Sequence, residues 1–290
     1  MKRTEDKKVK KPAVLYHGGC EDGMTGAFAA WKKFGKRAEY FACFNREEIP
    51  KEVTERKYNE VYLIDYSFIK ERMEWLRDSG IKVIFIDHHV SAEKYKDFFT
   101  ENVFDLTHSG AGLAFPYFHP KKTVPRFVKV VQDGDLWKGK YVEEAKFLHF
   151  YLKTQKWDFA TWDKIARQYE RAEGRKKIVA QGKYLYGFQE KILDDLLLEA
   201  YPISFEGVKG WAVNAPHFFA SRLGERLYEK YGGIAIIYFD FKDQIGVSLR
   251  AKADGKIDVA KIAEKYNGGG HPAAAGFRLL RGRPLPWKHL

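Results

Sequence analysis

Three short apolar runs in the first third of the chain each stop at an acid or a histidine, and this pattern most constrains the fold. The runs and the residues that follow them are AVLY (13–16) before His17, VYLI (61–64) before Asp65, and VIFI (83–86) before Asp87, His88 and His89. Uninterrupted apolar runs of this length are typical of strands covered on both faces, as in a parallel sheet.

Segments with helical periodicity separate these runs. Residues 23–35 and 69–80 each have a helical pattern and each close on a glycine, which favours the end of a helix. Strands that alternate with helices indicate right-handed βαβ units. The sequence therefore predicts an α/β fold whose N-terminal domain is a doubly wound, mostly parallel sheet.

The sequence pattern also divides the chain into four segments. Residues 1–12 form a basic tail, 13–142 the first domain, 143–201 a helical connector rich in Trp, Tyr, Lys and Glu, and 202–290 a smaller α/β domain. No apolar run is long enough to span a membrane, and no apolar segment follows the N-terminal charges, so we expect neither a signal peptide nor an anchor.

The cysteine content and the net charge indicate the cellular location and the kind of partner. Two cysteines, Cys20 and Cys43, in 290 residues are not a disulfide framework, so we expect a reducing, cytoplasmic location. The formal net charge of +12 favours anionic partners such as phosphates and nucleic acids, although charge alone does not establish binding.

The polar ends of the three runs should meet. In an open parallel sheet, ligands bind beyond the carboxyl ends of the strands, and Asp22 opens the helix that follows His17. The pair Asp133 and Asp135 follows a fourth apolar run, RFVKVVQ, which we interpret as another strand-like segment. Several carboxylates with one or two imidazoles suit Mn²⁺ or Mg²⁺ better than a thiolate zinc site.

Each residue also has a simpler interpretation when taken alone. Asp65 could be an ordinary strand-end or helix-capping residue, His17 a buried imidazole with satisfied hydrogen bonds, and one acid of the Asp133–Asp135 pair a turn residue. Turn chemistry does not explain why four segments end in metal-type ligands. The joint pattern therefore favours a metal site.

The second domain contains a glycine-rich segment, NGGGHPAAAGF. Gly268, Gly269 and Gly270 could form a loop whose N–H groups bind an anion, with His271 as a further donor. Arg250, in the nearby GVSLRA, could reach the same anion, or could form a surface salt bridge instead. A glycine-rich turn is weak evidence by itself.

Together these motifs resemble the DHH phosphoesterase superfamily, and within it the DHH–DHHA1 subgroup. The similarity spans nearly the whole chain except the tail and parts of the helical middle. The matching segments are HGGCEDG, the Asp65 strand end, the Asp87-His88-His89 triplet, the DLTHSGAGLAFPYF helix start, QDGDLW, and GKIDVAKIAEKYNGGGHPAAAGF.

The resemblance implies a two-domain enzyme with a dinuclear Mn²⁺ centre, or Mg²⁺ as the alternative ion, and a substrate-binding second domain. By matching position, the implied metal ligands are His17, Asp22, Asp65, His88 and Asp133, with Asp65 bridging. His89 would contact the scissile phosphate, and Asp87 would orient a histidine. A terminal phosphate or nucleotide would bind to Arg250, His271 and the loop of Gly268, Gly269 and Gly270.

One departure from the superfamily lies in HGGCEDG. The first motif usually carries two aspartates after the histidine, and here only Asp22 is clear. The other position falls on Cys20 or Glu21. Either could be a ligand, or Cys20 could simply fit a tight turn, in which case the first metal site would be weaker.

The resemblance also limits the substrates. The DHHA1 ending argues against the pyrophosphatase branch, and the chain ends soon after the glycine motif, without the oligonucleotide-binding barrel of processive family exonucleases. We therefore expect an oligoribonuclease-like exonuclease, acting 3′–5′ or 5′–3′, that releases 5′-mononucleotides from short single-stranded RNA or DNA or linear dinucleotides. The alternatives are a cyclic-dinucleotide phosphodiesterase and a catalytically weak nucleotide-binding protein.

The sequence does not decide between a monomer and a homodimer.

Overall fold

The structure is a computed structural model that describes residues 11–55 and 57–290. The chain divides into two compact units, one up to Tyr186 and the other Gly187–Leu290. Most of the basic tail predicted at residues 1–12 lies outside the described residues. Among the helices described, none is both long and apolar enough to cross a membrane.

The first unit is built on a five-stranded parallel sheet. Its strands are β1 (Ala13–His17), β2 (Glu39–Cys43), β3 (Glu60–Ile64), β4 (Lys82–Asp87) and β5 (Glu101–Phe104). They lie in the order β2-β1-β3-β4-β5, and every neighbouring pair is parallel. The predicted α/β fold with a parallel N-terminal sheet is confirmed.

Alternate residues along the strands pack into two separate cores. Val14 and Ile86 belong to one apolar cluster, whereas Leu15 and Phe85 belong to another on the opposite face. Because side chains in a strand point alternately to the two faces, both faces of the sheet are covered. This double burial explains why the three runs are apolar without interruption.

Helices cover the sheet and extend the first unit. They are α1 (Glu21–Phe34), α2 (Lys51–Thr54), α3 (Lys70–Asp78), α4 (Gly110–Phe118), α5 (Arg126–Asp135), α6 (Val142–Lys153), α7 (Phe159–Glu170) and the first half of α8 (Ala172–Leu198), which continues into the second unit. The segment predicted as a connector, 143–201, contains three of these helices. Leu148 and Trp162, from α6 and α7, are buried in the same core as α1. These helices therefore form part of the first unit's core.

The strand order creates a switch point in the sheet. From β1 the chain crosses to β2 on one side, and the later strands β3, β4 and β5 continue on the other side. The connection after β1 and the connection after β3 therefore run in opposite directions. This leaves a crevice at the carboxyl ends of these two strands, which is where open α/β sheets bind ligands. His17 ends β1, and Asp65 follows β3 directly.

One element differs from the sequence prediction. The run RFVKVVQ forms helix α5, not a strand. Its buried residues Phe127, Val128, Val130 and Val131 follow the spacing i, i+1, i+3, i+4, which places them on one helical face. The β-branched valines made the run look strand-like, but burial of this single face against the core decides in favour of a helix.

The second unit contains a seven-stranded mixed sheet. Its strands are β6 (Tyr201–Phe205), β7 (Val208–Asn214), β8 (Ile234–Phe241), β9 (Gln244–Arg250), β10 (Gly269–His271), β11 (Ala274–Leu280) and β12 (Lys288–His289), with helices α9 (Ala220–Tyr231) and α10 (Val259–Glu264). The order is β10-β11-β9-β8-β7-β6-β12. Strands β7 and β8 are parallel, and the other pairs are antiparallel. This agrees with the predicted smaller α/β domain.

Candidate metal centre

Acidic and imidazole side chains converge at the switch point of the first unit. Their ligand atoms form three groups, within each of which all atoms lie within 4.8 Å of one another. The groups are His17, Cys20 and Asp65; Asp65, His88 and His89; and Asp22, His88 and Asp135. Asp65 and His88 each belong to two groups, so the three form one continuous cluster.

Asp65 lies at the centre of this cluster. Its Oδ2 is 3.4 Å from Nδ1 of His17, and its Oδ1 is 3.3 Å from Nε2 of His88. The side chain is 1% exposed, and neither oxygen has a hydrogen-bond partner in the structure. Its backbone φ of 57° lies in the left-handed region, while its N–H continues the ladder to the carbonyl of Ile86. Strain of this kind is frequent at functional sites.

Asp22 reaches the cluster from the first turn of α1. Its Oδ1 accepts hydrogen bonds from the Ser109 hydroxyl and from the backbone N–H of Ala111, 3.1 Å away, while its Oδ2 is buried without a partner. Ser109 is also the N-cap of α4 and accepts from the Gly112 N–H. The start of α4 thereby holds one oxygen of Asp22 and leaves the other aimed into the cluster.

Asp135, not Asp133, supplies the acid from α5. Its Oδ2 is 3.4 Å from Nε2 of His88. The carboxylate of Asp133 instead accepts the backbone N–H of Tyr141 at 2.8 Å, which fixes the loop after α5. Within the described residues, Asp133 belongs to none of the three groups. The structure thus brings Asp135 into the cluster, whereas Asp133, the ligand that the resemblance implies, contacts the loop after α5.

The pKa values of Asp22, Asp65 and Asp135 reflect the crowding of three buried or half-buried carboxyl groups. Burial and the charge of Asp65 raise the pKa of Asp22 well above its usual value, and the same two causes raise the pKa of Asp135. Burial also acts to raise the pKa of Asp65, but the adjacent imidazoles of His17 and His88 outweigh it and lower the pKa. Three acids within a few ångströms favour a bound cation.

Asp87 orients His89. Its Oδ1 accepts hydrogen bonds from the backbone N–H groups of His88 and His89 and lies 2.7 Å from Nδ1 of the His89 ring. This hydrogen bond raises the pKa of His89 to about 9, so the half-exposed ring is cationic at neutral pH. With Nδ1 held by Asp87, the ring offers Nε2–H as a donor to an anion. The carboxylate therefore fixes the orientation of the His89 ring.

Cys20 and Glu21, the two alternatives for the missing acid, face different neighbours. Cys20 caps α1 with extended backbone and groups with His17 and Asp65. Burial and the charges of Asp65 and Asp22 raise the pKa of its thiol. Glu21 instead lies 3.1 Å from Nδ1 of His149 and 3.4 Å from Nζ of Lys153.

The donor set fits divalent cations. Two ligands bound at right angles to one ion, each about 2.1 Å away, are about 3 Å apart. Apart from a 4.0 Å separation between His88 Nε2 and Asp22 Oδ2, the spacings around Asp65 and His88 lie between 3.3 and 3.6 Å. The partnerless atoms of Asp22, Asp65 and His88 need a partner of positive charge, since buried polar groups are costly unless satisfied.

Two residues that position the carboxylates of the cluster, Ser109 and Gly110, were not among the predicted site residues. Ser109 orients Asp22 across 87 positions of sequence, and Gly110 leaves no room for a side chain beside Asp65. The sequence signal for both residues is the Ser-Gly-Ala helix start, a motif that by itself indicates no role for either residue. Asp135 was visible as one of two acids.

The second unit gives the most direct comparison with known proteins. Residues 207–281 match the family model of the DHHA1 domain. The structure also resembles the DHH domain of a member of the s1p family of ribosomal proteins, with a TM-score of 0.62 and 15% identity. The match covers 94% of this chain and 84% of that one. The second unit therefore carries a DHHA1 domain, and the chain as a whole shares the fold of DHH-domain proteins.

Further similarities extend over most of the chain. Manganese-bound exonuclease RecJ matches with a TM-score of 0.55 at 16% identity, over 93% of this chain and 86% of that one. A pGpG-specific phosphodiesterase of Vibrio cholerae matches with a TM-score of 0.55 at 14% identity, over 94% of both chains. An uncharacterized protein of Acanthamoeba polyphaga mimivirus is 29% identical over 91% of this chain. The matched region spans 66% of that relative's length, just under two thirds.

The DHHA1 domain has a cavity of its own, of about 460 Å³. Its polar and glycine lining comes from β8 to β11 and the segment before α9, and includes His217, Ser248, Arg250, Gly269, Gly270 and Arg278. Of the predicted phosphate-binding residues, Arg250, Gly269 and Gly270 therefore share one cavity. Gly268 and His271 are not part of its lining.

Arg250 is held in the cavity by hydrogen bonds to neutral groups. Its Nη1 donates to the Ser248 hydroxyl and the Leu249 carbonyl, both at 2.8 Å, and its Nη2 donates to the Ser221 hydroxyl at 3.1 Å. Burial lowers its pKa, and in the part of the chain that the structure describes no carboxylate lies within ion-pair distance of it. The alternative of a surface salt bridge is therefore not what the structure shows.

The glycine segment is not the open loop that the sequence predicted. Residues Gly269–His271 form strand β10, which pairs with β11 in a tight hairpin. Gly270 has a φ of 147°, and a Cβ there would lie 2.5 Å from the carbonyl oxygen of Ala274, so both conformation and space require glycine. The small residues let two backbones meet at the edge of the cavity.

Proposed function

We propose that this chain is a divalent-metal-dependent phosphodiesterase that hydrolyses short oligonucleotides or linear dinucleotides to 5′-mononucleotides. The observation that carries the proposal is the buried cluster around Asp65, whose carboxylate oxygens and neighbouring imidazole nitrogen lack partners at the switch point of a parallel sheet. Such a cluster is costly to fold unless it binds cations, and cations beside a phosphate are what phosphoryl transfer requires.

The residues of the cluster have distinct roles in this proposal. His17, Asp22, Asp65, His88 and Asp135 would hold the ions, and the two oxygens of Asp65 face different imidazoles. When bound, the ions lower the pKa of water and stabilise charge on the phosphate oxygens. His89, oriented by Asp87, donates Nε2–H to the scissile phosphate and stabilises the charge that develops there.

The DHHA1 domain binds the non-reacting end of the substrate in this proposal. Arg250 presents a planar guanidinium without a competing carboxylate, which suits two-point recognition of a phosphate. A preference for short substrates is supported by the pGpG-specific phosphodiesterase, whose chain matches this one over 94% of both lengths.

The test is a substrate panel with the full-length chain. Purified protein, with Mn²⁺ or Mg²⁺, is incubated with a labelled linear dinucleotide, a cyclic dinucleotide and a long single strand. We expect mononucleotides from the linear dinucleotide at the highest kcat/KM. Faster hydrolysis of the cyclic dinucleotide would replace this proposal with a cyclic-dinucleotide phosphodiesterase. Tight nucleotide binding without turnover of any substrate would exclude an enzyme.

Replacing Arg250 with methionine tests the second domain's role. We expect KM for the linear dinucleotide to rise about 10- to 100-fold, because a charge-assisted contact to phosphate is worth about 1.5–3 kcal/mol, with a smaller change in kcat. The matched control is Arg281→Met, since Arg281 pairs with Asp240 and does not line the cavity. An unchanged KM in Arg250→Met would show that the substrate's phosphate binds elsewhere.

A further inference from the structure

The two halves of the candidate metal centre differ in their donor atoms. The group of Asp22, His88 and Asp135 offers only oxygen and nitrogen, whereas the group of His17, Cys20 and Asp65 includes a sulfur atom. Hard oxygen donors favour Mn²⁺ and Mg²⁺, while thiolates favour softer ions such as Zn²⁺. The sulfur therefore matters for which ion each half selects.

Cys20 is positioned as a donor to this half. It lies directly before α1, in the segment that leaves β1, and its sulfur lies within 4.8 Å of a ligand atom of His17 and of Asp65. The adjacent Asp65 is 1% exposed, and both its oxygens lack hydrogen-bond partners, so a buried, partnerless carboxylate points into the same space.

Glu21 does not compete for the position. Its Oε1 lies 3.1 Å from Nδ1 of His149 and 3.4 Å from Nζ of Lys153, both on α6. Within the described residues it belongs to none of the groups that could hold an ion. Of the two residues, only Cys20 groups with His17 and Asp65.

We propose that Cys20 is a thiolate ligand and that it makes the His17–Cys20–Asp65 half of the centre selective for a borderline-soft divalent ion, such as Zn²⁺ or Co²⁺, over Mn²⁺. The other half keeps a hard donor set. This inference rests on the proposed metal-dependent function and deepens it, because it assigns different ions to the two halves of one centre.

The test uses the absorption spectrum of cobalt bound to the metal-free full chain, so its readout is independent of activity. A cobalt–thiolate bond produces a ligand-to-metal charge-transfer band in the near ultraviolet, which oxygen and nitrogen donors do not. We expect this band in the wild type and its loss in Cys20→Ser. The matched control is Cys43→Ala, because Cys43 is the other cysteine of the chain and is absent from the groups; it should keep the band.

A second variant keeps a ligand at the position. Cys20→Asp should still bind Co²⁺, without the charge-transfer band, and its ratio of Mn²⁺ to Zn²⁺ affinity should rise at least about tenfold. Titration with Mn²⁺ and Zn²⁺, followed by calorimetry, measures this ratio. An unchanged ratio would contradict the assignment even if Cys20→Ser failed to fold.

The outcomes separate this inference from the proposed function. Cobalt bound by the wild type without the band, or a band that persists in Cys20→Ser, would overturn thiolate ligation and leave the metal-dependent function standing. Failure of the wild type to bind Co²⁺, Zn²⁺ and Mn²⁺ any better than Asp65→Asn would overturn both.

Discussion

An Asp65→Asn variant is expected to lose hydrolysis of the linear dinucleotide by at least about a thousandfold while it keeps the wild-type fold. Asp65 lies within 3.6 Å of three imidazole nitrogens, from His17, His88 and His89, and so at the centre of the ligand cluster. Loss of the shared anionic ligand removes transition-state stabilisation of several kcal/mol, and each 1.36 kcal/mol is tenfold in rate.

Asparagine is the informative replacement because of the backbone at this position. Asp65 has a φ of 57°, and asparagine tolerates the left-handed region far better than alanine, which pays about 1–2 kcal/mol there. The substitution also preserves shape. Thermal unfolding of the metal-free variant should therefore match or exceed that of the wild type, because one of three clustered carboxylates is gone.

Metal addition should distinguish the two proteins. At about 100 times its dissociation constant, a single bound ion stabilises the wild type by about 2.7 kcal/mol, and Asp65→Asn should lose most of this gain. Thermal unfolding with and without Mn²⁺ measures the difference.

Asp105 provides the matched control. It too follows a strand directly, after β5, but its carboxylate accepts the backbone N–H and hydroxyl of Thr107 and lies outside the groups that could hold an ion. Asp105→Asn should keep wild-type activity and the response to metal. If Asp65→Asn also retained activity within a factor of ten, the cluster at the switch point would not be the catalytic centre.

The contrast between Asp65 and Asp135 shows how far the sequence can predict this site. The apolar runs before His17, Asp65 and Asp87 need both faces of the sheet buried, so their strands and the edge where their ends meet follow from local pattern. For Asp135 the local pattern was ambiguous. The run before it is valine-rich, and only packing of one face against the core makes it helix α5. Helical geometry then carries Asp135, not Asp133, to His88.

Contacts between distant segments were beyond local reasoning. Ser109 and Asp22 are 87 positions apart, and nothing in either segment specifies that the Ser109 hydroxyl meets Oδ1 of Asp22. The direction of Glu21 likewise depends on α6, which the sequence predicted only as the start of a connector. Periodicity finds the elements, whereas the partners of a polar side chain depend on how the elements pack.

Replacing Gly110 with alanine is expected to lower kcat/KM about a hundredfold. A Cβ at this position would lie 2.5 Å from Cβ of Asp65 and 2.9 Å from Oδ2 of Asp22. The nearer neighbour, Cβ of Asp65, is attached directly to the backbone, so Asp65 or the start of α4 must move. A displacement of about 1 Å in a catalytic group can cost about a hundredfold in rate.

A retreat of α4 would also loosen Asp22, because the Ser109 hydroxyl and the Ala111 N–H that hold its Oδ1 flank Gly110. Gly110→Ala should therefore weaken Mn²⁺ binding as well as turnover. The control is Gly187→Ala, another helical glycine, where a new Cβ meets no atom within 4 Å. That variant should keep wild-type activity and gain up to about 1 kcal/mol of stability. Equal activity and metal affinity in both variants would mean that the close approach of α4 to Asp65 is not needed to position the carboxylates.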